Sequence, residues 1–102
     1  MNEIMEKILN WYCTASPINY DYNYIQSQID ILRERSVTGE IGSSVEEKMM
    51  MNMIFSLLKY YIRTSVTVFQ TKIVDIVVDI EQIYHVDGLL EKLIEKEDEY
   101  EM

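Results

Sequence analysis

Residues 44–87 run for 44 positions without a glycine or a proline, and that run constrains the fold more than any other feature of the chain. A many-stranded sheet needs frequent turns, and turns draw on glycine and proline for their special backbone angles. The whole chain of 102 residues holds three glycines and one proline. It is therefore expected to be all-α, a small bundle of four to five helices around a long central helix or helix pair over about 44–86. One continuous helix would extend about 65 Å at roughly 1.5 Å per residue. That exceeds the width of a domain this small, so a single helix would require self-association. The alternative is two helices broken in the weakest helix-forming stretch, residues 63–67 (RTSVT).

The flanking segments show helical periodicity. Over residues 2–14, Ile4, Ile8 and Trp11 form one stripe with Met5, Leu9 and Tyr12 beside it, opposite Glu3, Glu6, Lys7 and Asn10. Ser16 and Pro17 end this helix or begin the next. Tyr22, Ile25, Ile29 and Leu32 mark a second helix running out near Arg35, and residues 37–43 (VTGEIGS) form the clearest loop. Ser44, Val45, Glu46 and Glu47 have the form of a capping box, the serine accepting from the third amide and Glu47 reaching back to the serine amide. Residues 68–86 are rich in β-branched side chains, and Val74, Ile76, Val78 and Ile80 alternate as a strand would. Lys72, Asp75, Asp79 and Gln82, however, trace a helical polar stripe opposite Phe69, Ile73, Ile76, Ile80 and Ile83, and helix is the reading preferred. Asp87 and Gly88 are expected to stop that helix, with glycine in the left-handed position. Leu89, Leu90, Leu93 and Ile94 open a last short helix. The domain is expected to span 1–94, with 95–102 an acidic, frayed C-terminal tail.

Charge is unevenly placed. Residues 73–102 carry ten acids against Lys92 and Lys96, a net of −8, while residues 1–72 are nearly balanced at −1. Such a field repels nucleic acid and anionic lipid and favours a basic protein surface. The bases are scattered rather than clustered, so no direct nucleic-acid contact is expected. The most apolar stretch, 49–62, is interrupted by Asn52, Ser56 and Lys59, too short and broken for a membrane span. Cys13 is the only cysteine, which excludes an intramolecular disulfide. Residues 1–14 hold two acids and lack a small-residue cleavage site, so they do not read as a signal peptide. A cytoplasmic, intracellular location is the expectation.

Chemistry-bearing motifs are missing. His85 is the only histidine, and with Cys13 it falls short of the three or four ligands zinc requires. A Glu81–His85 pair one helical turn apart is the simpler reading, and His85 is expected to be dispensable. Cys13, on an amphipathic helix beside Trp11 and Tyr12, reads as a packing residue. Gly39 and Gly42 lack the lysine and strand of a phosphate-binding loop, and no nucleophile elbow is present. No enzyme activity, metal or cofactor is expected.

Two features point to recognition. Tyr20, Tyr22 and Tyr24 alternate with Asp21 and Asn23, giving aromatic side chains with polar tips of the kind enriched at interfaces. Residues 49–58 make a helix apolar on nearly every side, and such a helix must be buried by its own fold or by a partner. Few neighbours are available in a chain this small. A homo-oligomer is therefore expected, with Met50, Met53, Ile54, Leu57 and Tyr61 at the interface. The function expected is that of a non-enzymatic protein docking on a basic protein surface through Tyr20, Tyr22, Tyr24, Asp75, Asp79, Glu95, Glu97, Asp98, Glu99 and Glu101. Its class analogues are viral or mobile-element inhibitors of nucleic-acid-handling proteins. The competing expectation is a constitutive assembly subunit whose acidic tail only keeps it soluble.

Overall fold

Each stretch of helical periodicity forms a helix in the computed structural model, which describes residues 3–42, 44–64 and 70–101, the side chains of the last two excepted. The helices are α1 (Glu3–Thr14), α2 (Tyr22–Val37), α3 (Val45–Thr64), α4 (Gln70–Tyr84) and α5 (Leu89–Glu101), and no strand occurs among the described residues. The long run is thus two helices, α3 and α4. Part of the expected break, residues 65–67, lies outside the described residues, as does Phe69. A longest principal dimension of 38 Å leaves no room for a 65 Å rod.

The central helix is α3, packed against α1, α2 and α4, and α5 closes the bundle by resting on α1 and α4. This enclosure explains why α3 is apolar on nearly every side. Met51, Ile54, Phe55, Leu57 and Leu58 are all fully buried within one chain. Met50 and Tyr61 are buried too, and Met53 is half-buried against the same core. Of the residues expected at an oligomer interface, Met50, Ile54, Leu57 and Tyr61 are thus enclosed within the protomer, and Met53 alone reaches the surface. Aromatic edges reinforce the packing, with Tyr12 against Phe55 at 5.7 Å and Trp11 against Tyr84 at 6.0 Å between ring centroids.

Helix ends are satisfied in specific ways. Asp21 caps α2, its carboxylate accepting from Asn23 N–H at 2.9 Å. Pro17 lies in the connector between α1 and α2 rather than in a first helical turn. Ser44 Oγ accepts from Glu47 N–H at 3.1 Å, the first half of a capping box. The second half differs. The Glu47 carboxylate turns into the protein, 1% exposed, and accepts from Gly42 N–H and from the Tyr84 hydroxyl. Its position in the first turn of α3 suits an anion, because the helix dipole places partial positive charge there.

The end of α4 also departs from expectation. The helix stops at Tyr84, and His85 itself takes the left-handed conformation, φ 56°. Val86 N–H reaches back to Glu81 C=O at 3.1 Å, the six-to-one bond of a Schellman closure. Gly88, also left-handed at φ 70°, instead precedes α5, its carbonyl accepting from Lys92 N–H. The Glu81 carboxylate caps the first amide of α5, Leu89 N–H, at 3.0 Å rather than pairing with His85. Left-handed backbone costs a residue with a Cβ about 1–2 kcal/mol, of which glycine's extra unfolded-state entropy returns part. His85→Gly is expected to raise stability by about 0.5–1 kcal/mol, read as a higher denaturation midpoint at unchanged m-value. A lowered midpoint would reject the assignment of His85 as the strained cap.

Candidate functional site

The inner face of α5 runs Leu89, Leu93, Glu97, one residue per helical turn. Both leucines are fully buried, and Glu97 continues their line into the bundle as a carboxylate. Tyr12 of α1 donates its hydroxyl to Glu97 Oε1 at 2.6 Å, and Arg63 of α3 donates Nε–H to Oε2 at 3.0 Å. One acidic side chain thus ties three helices together. Burial, and then the hydrogen bond to Glu97, pushes the Tyr12 hydroxyl well above the ordinary tyrosine range. The segment expected to be a frayed tail is therefore helical through Glu101 and anchored at its middle. Glu97, expected to face a partner, is bonded within the chain and mostly covered.

Lys59 stands beside this junction, 3% exposed. Its ammonium lies 4.6 Å from the centroid of the Tyr12 ring and donates to Ala15 C=O at 2.8 Å and Cys13 C=O at 3.3 Å. The last carbonyls of a helix lack intrahelical donors and carry partial negative charge, so a lysine there closes α1 chemically and electrostatically. Burial, and then the nearby Arg63, lowers the Lys59 pKa. Ser56, one turn earlier on α3, gives its carbonyl to Ile18 N–H at 3.1 Å. The connector after α1 is thereby stitched onto the polar stripe of α3.

The outer face of α5 is different. Glu91, Glu95, Asp98 and Glu99 are all exposed, and their spacing places them along one side of the helix opposite Leu89 and Leu93. Lys92 and Lys96 lie within 3.7 Å and 3.5 Å of Glu95 and Glu99 respectively. Such exposed pairs are worth only tenths of a kcal/mol and leave the stripe acidic. Glu91 belongs to this stripe although the sequence reading did not single it out. The side chain of Glu101 lies outside the described residues.

The other residues expected to bind a partner divide. A shallow cleft between α2 and α4 brings Tyr22 together with Asp75 and Asp79. Asp79 is paired with Arg33 at 2.5 Å, whereas Asp75 is exposed. Tyr22 is half-buried, its hydroxyl accepting from Gln26 Nε2 at 2.9 Å while Lys72 stands 4.7 Å over its ring. Tyr20 also packs partly against the core, and only Tyr24 points outward, 47% exposed. The three tyrosines do not form one face. Cys13 is exposed rather than packed, and His85 has no metal-ligating companions among the described residues. No described helix is long and apolar enough to cross a membrane. No family model, curated protein or solved structure matches the chain.

Proposed function

We propose that the protein is a non-enzymatic interaction module that docks on a basic protein surface through the outer face of α5. The observation that carries this reading is the division of labour within one helix. Glu97 is turned inward and bonded to Tyr12 and Arg63, while Glu91, Glu95, Asp98 and Glu99 are held outward on a single face. An anchored helix presents its carboxylates in a fixed array, and a fixed array matches a spaced set of arginines or lysines at lower entropic cost than a loose tail. A nucleic-acid-binding protein offers such a surface, so inhibition or modulation of one is the role proposed. The competing role, an assembly subunit with an acidic solubilising end, requires no fixed array.

The test separates the face from the anchor. Deleting residues 95–102 would remove both, because it takes Glu97 away. Neutralising the stripe with Glu91→Gln, Glu95→Gln, Asp98→Asn and Glu99→Gln leaves the anchor intact. The variant is expected to keep its melting temperature within a few degrees. Affinity capture from extracts of the native cell should yield basic proteins with the wild-type chain at low salt, less at moderate salt, and a severalfold smaller amount with the variant. Equal capture by the two chains, or capture indifferent to salt, would reject docking by this face.

A further inference from the structure

We infer that the groove between α1 and α3 receives the acidic outer face of α5 from a second copy of the chain. Five of the nine cations, Arg33, Arg35, Arg63, Lys92 and Lys96, pair with carboxylates. Lys59 is buried against carbonyls and Lys72 covers Tyr22. The remaining two, Lys7 and Lys48, pair with no carboxylate among the described residues, and both line this one groove. None of the residues lining it is acidic, in a chain whose net charge is −9. By contrast, the groove between α1 and α5 includes Glu6, Glu95 and Glu99.

The groove is also the open side of α3. Met49 is 62% and Val45 74% exposed there, and Met53 and Trp11 contribute to its wall. Lys7 is held in place by a 2.7 Å bond to Gly42 C=O and stands 5.2 Å from the Trp11 ring centroid. A matching occupant carries carboxylates around an apolar side chain. The outer face of α5 offers Glu91, Glu95 and Asp98, with Ile94, 47% exposed, at its α4-side edge beside Glu91 and Asp98. Methionine side chains adapt to such a contact. The net charge opposes association at long range, but at physiological salt screening limits that repulsion to about 8 Å, while the lysine–carboxylate contacts act within it. The contact joins two different patches, so it closes as a reciprocal pair or ring, or extends into chains. It stands independently of the partner reading. Because both use α5, self-association and partner docking exclude each other at that helix.

Charge reversal tests the pairing on the isolated protein, with no partner present. Sedimentation from micromolar to millimolar concentration should show the wild-type chain associating. Lys48→Glu alone and Glu95→Lys alone should each weaken association by roughly tenfold or more, since each sets like charges together. Mixing the two variants, or combining both changes in one chain, should restore it. Trp11 is the only tryptophan, so its emission reports occupancy of the groove as association proceeds. Circular dichroism confirms that each variant keeps its helices. A monomer mass across the whole range would overturn the inference. Association that neither reversal weakens, or that the paired reversals fail to restore, would overturn it equally.

Discussion

Ile54→Asp is expected to unfold the protein at room temperature. Ile54 sits on α3 with no exposed surface, enclosed by the other helices of the same chain. Truncating a buried isoleucine costs about 2–5 kcal/mol through lost transfer energy and the cavity left behind. An unpaired carboxylate in that cavity adds a further cost of several kcal/mol, or forces its own protonation. Typical domains have a total stability of only about 5–15 kcal/mol. Loss of the far-UV helical signal, independent of protein concentration, is the expected result. Ile54→Val, which removes one methylene, should cost about 1 kcal/mol and leave the fold intact. A variant that kept its helices and merely changed its mass would show Ile54 to be an interface residue, against its enclosure within the protomer.

That enclosure bears on how far the sequence reading reaches. Periodicity placed α1 and α2 closely, because each has a polar face in contact with solvent and a single apolar stripe. In α4 the polar positions discriminated correctly. Ile76, Ile80 and Ile83 are buried, Asp75 and Gln82 are exposed, and Val74 and Val78, which mimicked a strand, lie on the outer side of a helix. For α3 the same logic left its covering open. An all-round apolar helix implies burial by its own fold or by another copy, and α1, α2 and α4 already cover most of its apolar positions, leaving Val45 and Met49 exposed. Two of its polar residues, Lys59 and Ser56, fall where the connector after α1 crosses it.

The remaining misses concern polar groups whose partners are distant in sequence. Glu97 looked like one more charge in an acidic run. Its spacing from Leu89 and Leu93 was the available signal that it faces inward, but Tyr12 lies 85 residues away and no local pattern names it. Glu47 was read as half of a local capping box, whereas Tyr84, 37 residues on, takes up its carboxylate. His85, expected to pair with Glu81 one turn away, instead takes a left-handed angle where α4 ends, and Glu81 caps α5. Val86, Leu89 and Leu93, which follow it, are all buried in the core.

The two buried tyrosine–carboxylate pairs imply a steep loss of stability at alkaline pH. Tyr12 and Tyr84 are nearly inaccessible and donate their hydroxyls to Glu97 and Glu47 respectively. Burial, followed by the hydrogen bond to a carboxylate, pushes both hydroxyls far above the ordinary value of 10.0. In the unfolded chain both ionise near pH 10, while in the folded protein they keep their protons. The folded state then binds more protons than the unfolded one, so stability falls as pH rises past 10 and continues to fall toward the folded pKa values. Each tyrosine withdraws about 1.4 kcal/mol per pH unit, so the pair removes about 5 kcal/mol between pH 10 and 12. Tyr22 and Tyr61 shift in the same direction. Lys59 acts oppositely. Its lowered pKa means that deprotonation relieves a burial penalty as pH rises toward the unfolded value of 10.5, beyond which it adds no slope. Thermal midpoints followed from pH 8 to 12 should therefore change little up to about pH 10 and then collapse. Tyr12→Phe and Tyr84→Phe should each cost about 1–3 kcal/mol at neutral pH, by leaving a carboxylate short of a donor. Each should also make the alkaline limb shallower by one proton, and the double variant by two. An alkaline limb of unchanged steepness in the double variant would show that these hydroxyls are not the groups holding their protons in the fold.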